Sequence, residues 1–151
     1  MASCLCSRCV SLCLKVPGWP TPSEARAMIC AGLAGKLMRD WWEPDDKLGN
    51  TERIYVLCPA VEGCEGQDAK EISVDHMFSF FTGGISLGRC VFLSRKNLCQ
   101  IHDTTYKPVQ CRGAYGCRKR DSNMLQKLPV AKMWRGKMGA MVLAEWKAAL
   151  A

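Results

Sequence analysis

Residues 99–120 read CQIHDTTYKPVQCRGAYGCRKR. Cys99, His102, Cys111 and Cys117 fall within this stretch, and Arg118, Lys119 and Arg120 follow at once. Thiolate sulfur and imidazole nitrogen are ligands of tetrahedral Zn2+, so this set can close one site. A shell of four protein ligands leaves no position for substrate. Its value is to folding, on the order of 10–16 kcal/mol of metal-binding free energy. Fixed positive charge beside such a knuckle suits a phosphate backbone.

Working outward, the form C-x5-C occurs twice, as CPAVEGC at 58–64 and CRGAYGC at 111–117. Each has a glycine just before its second cysteine, which lets the chain turn both sulfurs toward one point. Cys58, Cys64 and Cys90 form a second candidate metal set, with His76 as a further ligand. His76 also falls on one strand face with Ile72, Val74 and Phe78, so a packed core histidine is the competing reading. Cys4, Cys6, Cys9 and Cys13 are spaced C-x-C-x2-C-x3-C. They suit a second zinc, S-acylation among Leu and Val, or a loose N-terminal segment.

Eleven cysteines in 151 residues approach the density at which thiols become the scaffold. The first fifteen residues make a poor secretory leader, because Arg8 and Lys15 interrupt the apolar part. The odd cysteine count argues against a complete disulfide set. The expectation is a reducing compartment, cytoplasm or nucleus, with thiols free or on metal. No uncharged apolar run is long enough to span a membrane.

The net charge is +7, unevenly spread. Residues 40–75 carry ten acidic and three basic side chains, while 118–151 carry eight basic and two acidic. Such asymmetry points to a polyanionic partner for the C-terminal part. Arg118, Lys119, Arg120, Lys127, Lys132, Arg135 and Lys137 are the candidate nucleic-acid contacts.

Three parts follow: a Cys-rich segment and Pro-rich linker at 1–22, a zinc-binding domain at 23–117, and a basic amphipathic helical tail at 118–151. The segment 17–22 reads as a stiff linker. Ala25, Ile29, Leu33, Leu37 and Trp41 recur every four residues, predicting an amphipathic helix over 23–42 capped by Ser23. Strands are expected at 53–58, 71–81 and 89–94, with a strand or turn at 100–106. Pro129 should end a short helix at Leu128, and a last helix runs over 130–150. The expected fold is α+β, a small antiparallel sheet stapled by zinc and flanked by two amphipathic helices.

The cysteine cluster with its adjoining basic run resembles the small cysteine-rich proteins of plant RNA viruses such as tobraviruses and carlaviruses. That resemblance rests on 99–120 and on the general cysteine richness. It implies RNA binding and suppression of host RNA silencing, with zinc as structural cofactor.

A non-enzymatic, zinc-stabilised RNA-binding protein is therefore the leading expectation. An interaction adaptor, binding a protein partner or a second copy through its C-terminal helix, is the alternative. A thiol enzyme needs a cysteine nucleophile beside a histidine base, and no local signature around any cysteine supplies one.

Overall fold

The computed structural model describes residues 10, 13–15, 17–44, 51–70, 87–113 and 123–151, with backbone only for 123–127. The architecture is α+β. Helix α1 spans Pro22–Cys30, a 3-10 turn follows at Ala34–Lys36, and strand β1 covers Leu37–Trp42. Strand β2 covers Ile54–Pro59, α2 Val109–Gly113, α3 Asn123–Met133 and α4 Lys137–Leu150. β1 and β2 form a two-stranded antiparallel sheet in which Met38 faces Cys58, Asp40 faces Val56 and Trp42 faces Ile54.

The helix expected over 23–42 is therefore half helix and half strand. α1 ends in a glycine stop. Gly32 takes φ +81°, its N–H donates to the Ile29 carbonyl, and the Leu33 N–H reaches back to Met28. That pair of bonds satisfies the last carbonyls and turns the chain out of the helix. The last two members of the four-residue stripe, Leu37 and Trp41, thus fall on a strand, where Leu37, Met38, Asp40 and Trp42 are buried. The cap is Thr21, not Ser23. Its Oγ1 accepts from the Glu24 N–H at 3.2 Å, and Glu24 Oε2 accepts from the Thr21 N–H at 2.9 Å. This is a reciprocal capping box with Pro22 opening the helix.

The sheet also differs from the expected one. The segment read as a strand at 53–58 is β2, but its partner is β1. The 89–94 segment makes only isolated bridges, Val61 to Cys90 and Leu93 to Cys99. The 100–106 segment is a series of turns. The strand expected at 71–81, and His76 with it, lies outside the described residues.

Residues 17–20 are buried, so they do not act as a spacer. Trp19 is 2% exposed and packs edge-on to Trp42, ring centres 6.2 Å apart. Its two nitrogens are both satisfied. The backbone N–H donates to Gln110 Oε1 at 2.7 Å, and Nε1 donates to Asp40 Oδ2 at 3.0 Å. Gln110 and Asp40 are themselves buried, so each bond satisfies two groups that would be costly to leave unpaired.

α3 runs through Pro129 instead of stopping there. The proline removes one backbone donor, but Val130, Ala131 and Trp134 beyond it are buried in the core, which holds the following turn in place. α3 and α4 meet at a close corner. A Cβ on Gly139 would lie 2.2 Å from the Trp134 carbonyl oxygen, so only glycine fits there. Trp134 Nε1 donates to the Pro20 carbonyl at 3.0 Å and Trp146 Nε1 to the Ala34 carbonyl at 2.9 Å. Arg26 of α1 pairs with Glu145 of α4. These contacts lay the C-terminal helices against the N-terminal half.

Gly139→Ala is expected to destabilise the protein by about 1–3 kcal/mol through this backbone clash. Gly136→Ala, which meets no atom within 4 Å, should cost much less. Urea titration of both variants checks the difference.

Candidate metal centre

Three separated segments deliver thiols to one region. The first is 13–15, in helical conformation, with Cys13 half-buried. The second, 87–91, is laced between it and the 60–62 turn. Leu87 and Gly88 N–H groups donate to the Lys15 carbonyl, and the Cys90 N–H donates to the Cys13 carbonyl at 2.8 Å. On its other side Val91 N–H donates to Ala60 and Arg89 accepts from Glu62 N–H. Gly88, at φ +143°, lies against Val61, where a side chain would crowd that contact.

A tight return then brings Cys99 back beside Cys90. Asn97 adopts φ +60°, its N–H donates to Ser94, and the Ser94 N–H donates to Leu98. Asparagine tolerates this left-handed region better than most residues. The Gln100 N–H donates to Phe92 at 2.8 Å, completing the bridge from Leu93 to Cys99. Arg89 fastens the turn by donating to the Ser94 carbonyl and to Asn97 Oδ1.

The third segment is α2, which carries Cys111. Glu24 positions it. The same Oε2 that closes the α1 capping box accepts from the Val109 N–H at 3.0 Å, and Oε1 pairs with Arg112. One largely buried carboxylate thus serves the first turns of two helices, where negative charge is favoured. Trp19 N–H on Gln110 ties the same helix to 17–20. In consequence Cys111 Sγ packs directly on Gly18: a Cβ there would lie 2.2 Å from the sulfur.

The ionisation of Cys13, Cys90 and Cys111 is affected by neighbouring thiols of this group, Cys99 among them. Burial pushes the Cys90 thiol up to about 12, and the neighbouring Cys13 and Cys99 add to it. Burial also raises Cys111, followed by Cys90, Cys13 and Cys99. Cys13 is raised by burial and then by Cys99. Lys107 opposes the shift at both Cys13 and Cys111. Cys13, Cys90 and Cys111 are thus thiols whose protonated form is favoured, by desolvation first and by neighbouring thiols second. Among the described residues, no three Cys, His, Asp or Glu side chains converge closely enough to hold a metal ion.

Of the candidate ligands, Cys90, Cys99 and Cys111 lie in one region together with Cys13, without converging on a metal position. His102 faces elsewhere: its Nδ1 lies 2.6 Å from Lys107 Nζ. An ammonium has no lone pair, so Nδ1 accepts and the ring is neutral, in keeping with a pKa lowered by burial and then by Lys107. Cys58 and Cys64 sit in the apolar core, 0% and 3% exposed. Gly63 before Cys64 does take a left-handed φ of +94°, as the C-x5-C reading requires. Cys117, with Arg118, Lys119 and Arg120, lies outside the described residues. Lys127 stands on α3, and Lys132, Arg135 and Lys137 are exposed around the α3–α4 corner.

Local spacing pointed to Cys13 only as a member of the N-terminal group, because its partners are contributed by distant segments. Lys107 and Gly18 had no signal in spacing at all. Comparison with protein-family models, curated proteins and solved structures found no match.

The pH behaviour follows from the raised thiols. A folded-state pKa above the unfolded value means that folding favours the protonated form. That stability is fully present below about pH 9 and is lost as pH rises toward about 12. Metal-free protein should therefore unfold at lower urea concentration across this window. Cys90→Ser should flatten the decline, as followed by urea midpoints at stepped pH.

Proposed function

We propose that the chain is a non-enzymatic, zinc-stabilised RNA-binding protein. The observation that carries the metal half of this reading is the thiol group: Cys13, Cys90, Cys99 and Cys111 come from three segments and lie in one region, each half-buried. Four thiols match the soft tetrahedral preference of Zn2+. Side-chain rotation between staggered rotamers would draw the sulfurs from neighbouring positions into one shell. Each would give up its proton on binding, so zinc uptake and proton release are coupled.

The RNA half is supported by the exposure of Lys132, Arg135 and Lys137 around the α3–α4 corner, on the most basic part of the chain. Such a surface holds phosphates without reading bases. Suppression of RNA silencing is the role that the plant-virus resemblance would give to that binding.

A second reading has its own observation. Met133 and Met141 are 55% and 50% exposed at the same corner, and Met138 is also exposed. Adaptable apolar side chains in the open suit a protein partner, so an interaction adaptor using α4 is the alternative.

One experiment separates the two. Zinc-loaded protein is titrated with single-stranded RNA at several salt concentrations. RNA binding predicts a linear fall of log affinity with log salt, and Lys132→Ala/Arg135→Ala/Lys137→Ala should lower the slope by about 2, at roughly 0.7 per phosphate contact on a single strand. An unchanged slope and affinity in the triple variant would remove this surface from RNA binding and favour the adaptor.

A further inference from the structure

Every exposed residue of α4 is an alanine, a methionine, a leucine or a lysine. The helix buries its other side through Gly139, Val142 and Trp146. Met138 and Met141 are 42% and 50% exposed and stand three residues apart, so they share a face, and Ala144 continues the same stripe. Lys137 and Lys147 stand exposed near the two ends. A water-facing helix surface ordinarily carries polar side chains. Between its lysines this one presents none that is exposed. Glu145 is the single acid in residues 123–151, and it is paired with Arg26 of α1.

The corner before α4 repeats the same mixture. Met133 is 55% exposed, with Lys132 and Arg135 exposed on either side of the buried Trp134. Residues 135–138 are exposed without a break, so the corner projects from the body. It is held firmly, because Trp134 Nε1 donates to the Pro20 carbonyl and Gly139 closes on the Trp134 backbone. RNA would use the cations and leave the methionines unmatched. A protein partner would cover the methionines, but such interfaces are rimmed by hydrogen bonds, which the exposed side of α4 has few side chains to make. An anionic bilayer uses both. Its acyl boundary takes the methionines and alanines, while lysine and arginine reach the headgroup phosphates on long apolar stems.

We propose that the exposed face of α4, together with the α3–α4 corner, is a docking surface for anionic phospholipid bilayers. The helix lies in the plane of the bilayer surface, since 14 residues are too few to cross it. Attraction between the cations and acidic headgroups brings the corner down, and burial of Met133, Met138 and Met141 holds it there. This inference is independent of the thiol region. It shares Lys132, Arg135 and Lys137 with the RNA reading, so lipid and RNA would compete for them, and only lipid would need the methionines.

The test is co-sedimentation of the full-length chain with vesicles of phosphatidylcholine alone and of phosphatidylcholine mixed with phosphatidylserine. Binding is expected to the mixed vesicles only, and to weaken as salt is raised. Lys132→Ala/Arg135→Ala/Lys137→Ala should lower the affinity about a hundredfold, at roughly fivefold per cation. Met133→Gln/Met138→Gln/Met141→Gln keeps side-chain length and helix propensity and should lower it about tenfold or more. Ala144→Glu, which sets an acid on the same face, should weaken it as well. All of these replace exposed side chains, so urea midpoints are expected near the wild-type value. The methionine variant should keep the wild-type chain's behaviour toward RNA, whatever that proves to be, which separates this proposal from the RNA reading. Failure of the wild-type chain to bind the mixed vesicles would overturn the proposal. Wild-type lipid affinity in the methionine variant would also overturn it, reducing the contact to adhesion of a cationic surface.

Discussion

Both nitrogens of Trp19 are bonded to buried side chains from distant parts of the chain, and much else depends on that junction. Asp40 belongs to β1 and Gln110 to α2, and each accepts one Trp19 donor. Each contact is a buried hydrogen bond between distant parts of the chain, and removing one partner of such a bond costs about 1–3 kcal/mol. The bonds also fix what lies on either side. Gly18 is set against the Cys111 sulfur, and the Pro20 carbonyl is presented to Trp134 of α3. Prolines at 17, 20 and 22 restrict the unfolded chain, so less entropy is lost in ordering this segment. The sheet, the thiol region and the C-terminal helices are thus joined through four buried residues.

Glu24 works in the same way one turn later. It closes the α1 capping box and serves the first N–H of α2, so the helix bearing Cys111 is referenced to the helix that follows Trp19. Burial favours the protonated thiols of Cys13, Cys90 and Cys111 in the region that results. A divalent cation would turn four mutually unfavourable thiolates into a favourable shell. That is the physical link between the fold and the proposed function: metal would have to displace protons that burial holds on these thiols, so its uptake would depend on pH.

Some of this was legible in the sequence. The strand at 54–59 was, because Ile54, Tyr55, Val56 and Leu57 are β-formers in a row. The amphipathic C-terminal helix was, because Val142 and Trp146 repeat on one side, and both are buried. The stop at Gly32 was not read, because a four-residue stripe running on through Leu37 and Trp41 imitated a longer helix. The period of 2 and the period of 4 coincide on every fourth residue, so the stripe could not distinguish them. The burial of 17–20 was not legible, since proline-rich composition describes a backbone and says nothing of what packs on it. Cys90, Cys99 and Cys111 were legible as candidates by residue type, in two separate sets, though no three described side chains converge closely enough to hold a metal. Their grouping with Cys13 was not, because it is made by tertiary contacts across more than seventy residues.

The central claim is that Cys13, Cys90, Cys99 and Cys111 form one centre. Zinc per chain, measured by elemental analysis on protein purified under reducing conditions, tests it most directly when single Cys→Ser variants are compared. The account predicts one zinc in the wild-type chain from this centre. The metal should be lost or greatly weakened in Cys13→Ser, Cys90→Ser, Cys99→Ser and Cys111→Ser, and kept in Cys64→Ser and Cys117→Ser. Full zinc retention in Cys13→Ser, with loss in Cys117→Ser, would contradict it and return the ligand set to the contiguous 99–117 stretch.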